Sequence, residues 1–299
     1  MRIVVSGGTG FIGREVVRRL LEAGETDLVV TSRTPEASDL WHGCVRSVQG
    51  FAGDALSLAR AFTAADVVVH CIQFPNHPVE DQSRGRSYLE VDGRGTQVAV
   101  QAARRVGVRR FVYVSGAGAG QGRSAPWFRA KDMAEAALQE SGLESVVLRP
   151  SWIYGPGDRS LNRFVAFCRH LPVVPVIGSG RTPVQPVFVE DAAGCVAAAA
   201  LRSDAAGRTF ELGGPQKLTM DEVVRTVQSV LGRVRPLLHH PVPLMKLLVL
   251  PLALMPEPIL SPGAVDFITQ DVEIDPQPAV DFFGLPFRRL EDGLRTYLP

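Results

Sequence analysis

The chain has little of anything that would take it outside the ordinary globular class. Its four cysteines, Cys44, Cys71, Cys168 and Cys195, are widely spaced and form no Cys-x-x-Cys pair. That argues against a disulfide framework or a zinc site and suits reduced thiols. No block of like charge runs along the 299 residues: 32 Lys and Arg against 31 Asp and Glu leave a formal net charge of +1. Arg outnumbers Lys, yet nothing points to nucleic acid. Internal repeats and low-complexity tracts are missing, and no set of residues has metal-ligand spacing. No apolar run reaches the roughly 20 residues that a membrane span requires. The Leu-rich stretch Pro236–Pro262 comes nearest, but Pro241, Pro243, Lys246, Pro251 and Pro256 interrupt it. It reads as a lid over a substrate pocket or a buried helical cap in preference to a membrane-surface element, with peripheral contact left open. The first apolar run starts at Ile3, ahead of which a signal peptide does not fit, so the expected setting is cytoplasmic.

What is present is organised around residues 3–13. Ile3-Val4-Val5 is a short buried strand, Ser6–Gly10 is a glycine turn, and Ile12, Val16 and Leu20 recur at helical spacing. Strand, glycine turn and helix make the first half of a dinucleotide-binding βαβ unit. The glycines read as Gly8-x-Gly10-x-x-Gly13 or Gly7-x-x-Gly10-x-x-Gly13. One of the first two allows the tight turn, Gly10 lets a pyrophosphate approach the backbone, and Gly13 lets the helix lie close to the strand. The candidate cofactor-binding residues here are Gly7, Thr9, Gly10, Phe11, Ile12 and Gly13.

The next strand, Leu28–Thr31, ends at Ser32-Arg33. A carboxylate at this point would bind the ribose 2′-hydroxyl of NAD, whereas a cation accommodates the 2′-phosphate of NADP. Asp27 stands at the wrong end of the strand, so the pattern favours NADP(H) over NAD(H), with Ser32 and Arg33 as the contacts. Strands and helices then alternate through Val45–Gly50, Asp66–Cys71, Arg109–Ser115 and Ser145–Pro150, with a long helix expected over Glu90–Gly107 and another from Trp127 to Gly142. This rhythm predicts an α/β fold with a doubly wound parallel sheet. The glycine-rich segment Gly116–Gly122 is expected to be mobile. Residues 1–155 form the dinucleotide-binding domain, completed by about 187–212. Residues 156–186 and 213–299 form a smaller substrate lobe, in which Pro172–Pro186 is irregular and Thr219-x-x-Glu222 opens a helix as a capping box.

The pieces Gly7-x-x-Gly10-x-x-Gly13, Gly53-Asp54, Asp92-x-x-Gly95-Thr96, Arg149–Asp158 and Gln185–Ala192 resemble the extended or atypical short-chain dehydrogenases/reductases, an epimerase/dehydratase-like group, over residues 1 to about 215. Tyr154–Asp158, Asn162–Phe164 and Gln185–Asp191 look most like the branch that includes an accessory subunit of respiratory complex I. Some members of that branch are kept for cofactor binding or structure. The resemblance adds Asp54, His70, Cys71, Lys131 and Pro150 to the cofactor-binding candidates. It also implies a Tyr-x-x-x-Lys pair and a Ser after the fifth strand, with Tyr as acid/base and Lys lowering its pKa. Lys131 stands in the Lys position, but Trp127 stands where the Tyr belongs, and an indole N–H cannot supply a proton near neutral pH. The Ser position falls on Ser115 or on Gly116.

The catalytic candidates are therefore Lys131, Ser115 and Tyr154, the last placed with Asp158 after the sixth strand where substrate would lie. His77 lies on a loop that could close over the site. A medium-sized, largely apolar small-molecule substrate is expected near Trp127, Trp152, Tyr154 and the C-terminal lobe. Three readings follow: a reductase or epimerase-like enzyme with a non-standard acid, a silent cofactor-bound sensor or assembly protein, and a non-redox catalyst. Lys131 is expected to hydrogen-bond the nicotinamide ribose, and its removal to leave the fold unharmed.

Overall fold

Alternation along the strands sets the architecture, which the computed structural model describes for residues 1–35, 41, 43–74, 80–81, 84–251, 265 and 271–299. Ile3, Val5, Val67, Val69, Val112 and Val114 enter one apolar cluster, while Val4, Val68, Phe111 and Tyr113 enter another on the opposite face. Such two-sided burial is the signature of a parallel sheet covered by helices on both faces. The strands β1 (Ile3–Ser6), β2 (Leu28–Ser32), β3 (Arg46–Gln49), β4 (Val67–His70), β5 (Arg110–Val114), β6 (Glu144–Pro150) and β11 (Thr209–Leu212) make one seven-stranded sheet. Its spatial order is β3-β2-β1-β4-β5-β6-β11, and every pairing is parallel. The order reverses between β1 and β4, the crevice at which doubly wound sheets take ligands.

Helix α1 (Phe11–Glu22) buries Ile12, Val16, Val17 and Leu20 on the first face. Beside it lies the alanine-rich α6 (Val189–Leu201), whose small side chains permit close packing. The second face is covered by α2 (Ala55–Phe62), α3 (Gly95–Arg105) and α4 (Pro126–Gln139). Each fully buried aliphatic side chain contributes about 1.5–3 kcal/mol, so the two clusters are the main source of stability. Arg110, almost fully buried, fastens the far edge: its guanidinium bonds Glu144 and the Ala200 and Arg202 carbonyls at the end of α6.

A third apolar cluster defines the smaller lobe. It joins β7 (Ile153–Tyr154), α5 (Leu161–His170), β8 (Val174–Ile177), β10 (Val187–Phe188), α7 (Met220–Val230) and α10 (Leu290–Arg295). The segment 172–186 is more regular than its prolines suggest. β8 pairs in parallel with β13 (Leu237–His240), and β9 (Pro183–Val184) pairs antiparallel with β12 (Leu218–Thr219). The Thr219–Glu222 capping box forms with both of its arms. Helix α8 (Val242–Val249) follows β13, whereas α9 (Gln277–Phe283) returns to the first cluster through Ala279 and Phe283.

Candidate functional site

At the crevice, the turn after β1 is built on contacts that only glycine permits. Gly7 has φ +80° and lies against the Cys71–Ile72 backbone at the end of β4, where a Cβ would approach the Ile72 nitrogen to 3.0 Å. A Cβ on Gly13 would run into the Gly7 carbonyl, so α1 begins almost on top of the turn. Gly10 is the N-cap of α1, and neither a capping side chain nor an acidic residue occupies that first turn. Free amides and the positive end of the helix dipole therefore face the crevice, the arrangement that suits a pyrophosphate. Thr9 and Phe11 line it half-buried, and Ile12 anchors α1 in the core. Ser32 closes β2 with its hydroxyl accepting from the Thr34 amide, and Arg33 follows it, exposed.

Other candidates are placed less simply. Asp54 is the N-cap of α2: its Oδ1 accepts from the Leu56 and Ser57 amides at 3.0 and 3.1 Å. Those bonds hold its carboxyl below its ordinary value. His70 is fully buried, with Nε2 3.3 Å from Thr96 Oγ1 and Nδ1 unpartnered. Burial, helped by nearby Lys131, lowers its pKa to about 3, so the ring is neutral. Cys71 points into the α1 side of the core, and burial pushes its thiol up to about 12. Neither side chain offers a proton near neutral pH. Pro150 closes β6, its carbonyl accepting from the Ala117 amide at 2.8 Å.

The helix expected over 90–107 opens with a π-helical stretch, Leu89–Arg94, before continuing as α3. The wider turn carries Asp92 inward, and π-turns of this kind recur at functional sites. Asp92 Oδ1 accepts from Lys131 Nζ at 2.8 Å and Oδ2 from the Phe74 amide at 2.9 Å. Both side chains are essentially inaccessible, at 0% and 1% exposure. Lys131 also lies over the Tyr113 and Trp127 rings, with centroid distances of 5.5 and 5.8 Å. Burial alone would lower its pKa, but Asp92 and Tyr113 outweigh that and raise it. The ammonium thus clamps α4 to the π-turn and to the backbone leaving β4. This corrects the expectation that removing Lys131 leaves the fold unharmed: the loss would strand a buried carboxylate.

The two alternatives for the Ser position separate here. The Ser115 hydroxyl is buried and donates to Glu135 Oε1 at 2.5 Å, and Glu135 is held in turn by Arg149 through Nε and Nη2. Ser115 therefore belongs to a closed ion-pair network. Gly116 faces Trp127, and a Cβ there would run into Cζ2 and Cη2 of the indole. The tryptophan fills the space that a side chain at 116 would take. The glycine segment is not a free loop either, because Gly116–Ala119 are buried and the Gly120 amide donates to Asp132 at 2.6 Å. Gly118 and Gly120, at φ +85° and +75°, let the chain pass beneath Phe128 and Arg149.

Tyr154 does not join this group. It lies in the core of the small lobe against Phe188, its hydroxyl 3.4 Å from the Arg289 and Leu290 carbonyls. Burial first, then the Asp191 charge, raises its pKa. Asp158 caps α5 through the Ser160 and Leu161 amides, and Trp152 bonds Ser160. His77 lies outside the described residues. What sequence reasoning missed was the Lys131–Asp92 pair and the Ser115–Glu135–Arg149 network. The one local sign was an Asp standing where the resembled proteins often carry Asn.

The fold and the cradle are those of a Rossmann dinucleotide-binding protein. The profile described as NAD(P)H-binding matches residues 7–165, more than half of the chain, and the chain belongs to that family. It is 30% identical over 273 residues to NADH dehydrogenase [ubiquinone] 1 alpha subcomplex subunit 9, mitochondrial, of Arabidopsis thaliana, covering 86% of this chain and 66% of that protein. The mouse and rat subunits of that name are covered over 63% and 61% of their length, so the chain spans about two thirds of these relatives or less. It is 29% identical to a ceramide reductase of Caulobacter vibrioides over 81% of this chain and 74% of that one. A nucleoside-diphosphate-sugar epimerase structure from Staphylococcus aureus superposes with a TM-score of 0.79 at 18% identity, covering 99% of this chain and all of that one, which shows the shared fold. The family resemblance read from the motifs holds. Among the described residues, no helix is long and apolar enough to cross a membrane.

Proposed function

We propose that this protein holds NADP(H) in a site whose usual proton-transfer niche is closed by Trp127. The observation that carries the reading is the indole seated over Gly116, one helical turn from a Lys131 already committed to Asp92. A substrate oxygen would need a phenol and a hydroxyl at those two positions. The amides of Phe11, Ile12 and Gly13 would hold the pyrophosphate, with Gly10 allowing its approach, and Ser32 with Arg33 the 2′-phosphate. Bound, the nicotinamide would supply hydride donation or acceptance; the chain's own groups would hold and orient it. Neutral His70, protonated Cys71 and distant Tyr154 do not replace the missing acid. Mass spectrometry of ligand released from the purified protein, with calorimetry against NADPH and NADH, tests the reading. NADPH should be recovered and bound more tightly; equal affinity for the two sinks the choice of cofactor.

A second reading is a reductase acting on an apolar carbonyl compound through a different acid. The ceramide reductase relative and the leucine-rich C-terminal stretch support it. NADPH oxidation followed at 340 nm with long-chain ketones separates the two. Turnover at ordinary rates, about 1–100 per second, would favour the reductase.

A further inference from the structure

A side chain of the neighbouring strand holds the turn of the cradle. Thr31, in β2, stands opposite Ser6 in the β1–β2 register and is 1% exposed. Its hydroxyl accepts from the Gly7 amide at 3.1 Å and donates to Ser6 Oγ at 3.4 Å. The γ-methyl faces the other way. A Cβ on Gly50, just past β3, would meet Thr31 Cγ2 at 3.2 Å. Packing on that side leaves the hydroxyl on the side of the turn, and a β-branched residue has few other rotamers.

The Gly7 peptide that Thr31 holds is a hub. Its carbonyl accepts from the Gly10 amide at 2.9 Å, and the Gly10 carbonyl accepts from Arg14 at 3.0 Å. The same Gly7 carbonyl is the atom that a Cβ on Gly13 would strike. A run of bonds therefore leads from β2, through the turn, into the first turn of α1. Glycine enters φ +80° about as readily as the mirror region, so the choice at Gly7 must come from outside the residue. The bond to Thr31 supplies that choice, and a buried amide without it would be left unmet.

We infer that Thr31 is a positioning residue for the pyrophosphate site. It fixes the Gly7 peptide, and through it the place of the Phe11–Gly13 amides; it acts on the turn and not on the ligand. For the identity of the ligand the inference rests on the cofactor reading above, and for the geometry of the turn it does not.

Thr31→Val keeps the shape and removes the acceptor. Calorimetry with NADPH and NADH, beside amide hydrogen exchange of the cofactor-free protein, tests the inference. Both affinities should fall together by about tenfold, the worth of one hydrogen bond, with their ratio unchanged because the pyrophosphate is common to both. Binding should persist, since the helix amides remain. Exchange should quicken at Gly7 and Gly10 and stay at the parent rate along Val67–Val69. Thr31→Ser returns the hydroxyl and should recover both readouts. A merely structural threonine would lower the melting temperature of the valine variant and leave affinity and local exchange alone; that result overturns the inference. So does a serine variant no better than valine. A parent protein that binds neither dinucleotide takes down the cofactor reading instead, and the role of Thr31 in the turn then stands or falls on the exchange rates.

Discussion

The glycine cradle after β1 and the niche between β5 and α4 lie at the same edge of the same sheet, yet they differ in what occupies them. At the cradle the close contacts of Gly10 and Gly13 are made by backbone, and the approach to the first turn of α1 is left open. At the niche side chains fill the space: indole over glycine, lysine on aspartate, serine on glutamate. A binding surface built from backbone survives side-chain substitution around it. A proton-transfer site depends on two or three particular side chains, and on the proposed reading one replacement, here Trp127, closes it. Holding a cofactor and running chemistry with it are thus separable within one fold.

The largest expected effect strikes the niche as structure. Lys131→Ala leaves the Asp92 carboxylate buried without its counter-ion, a loss of about 3–5 kcal/mol. Urea denaturation measures it, and adding Asp92→Leu should recover much of the stability. A loss below about 1 kcal/mol would show that the pair does not hold α4 in place. At the cradle, Gly10→Val should weaken NADPH and NADH alike by at least 100-fold, about 3 kcal/mol. The fold should persist, since only the Gly7 carbonyl, at 3.1 Å, approaches a Cβ there. Calorimetry beside a melting curve separates the two, and retained binding would refute the cradle.

Arg33→Ala sharpens the cofactor choice: about 1.5–3 kcal/mol should be lost with NADPH and almost nothing with NADH. His70 gives the pH dependence. Its pKa falls from 6.5 to about 3 on folding, so the unfolded chain binds the extra proton between those values. The contribution is whole above about pH 6.5 and drains away as pH falls towards 3, with about 2 kcal/mol gone at pH 5. Denaturation at pH 7.5 and 5 should show this drop in the parent and a smaller one in His70→Asn. The smallest effect is expected from Trp127→Tyr alone. It restores a phenol but no hydroxyl at 116, so NADPH oxidation with simple ketones should stay at background until Gly116→Ser is added. Activity in the single variant would show that the niche needs only its acid.

Read from residues alone, the strand–glycine–helix unit at 3–22, the parallel alternation and the Thr219 capping box were all legible. Each rests on a local rule: the period of burial, the backbone demands of a turn, the spacing of two side chains on one helix. Only the tertiary structure decided that Lys131 pairs with Asp92 across 39 residues, that Asp54 spends a carboxylate oxygen on a helix cap, that Tyr154 belongs to the other lobe, and that Trp127 fills the space over Gly116. Those outcomes depend on which strands and helices become neighbours, and on how the π-turn at 89–94 aims one carboxylate. Neither strand order nor the direction of a buried side chain is written in any local stretch of the chain.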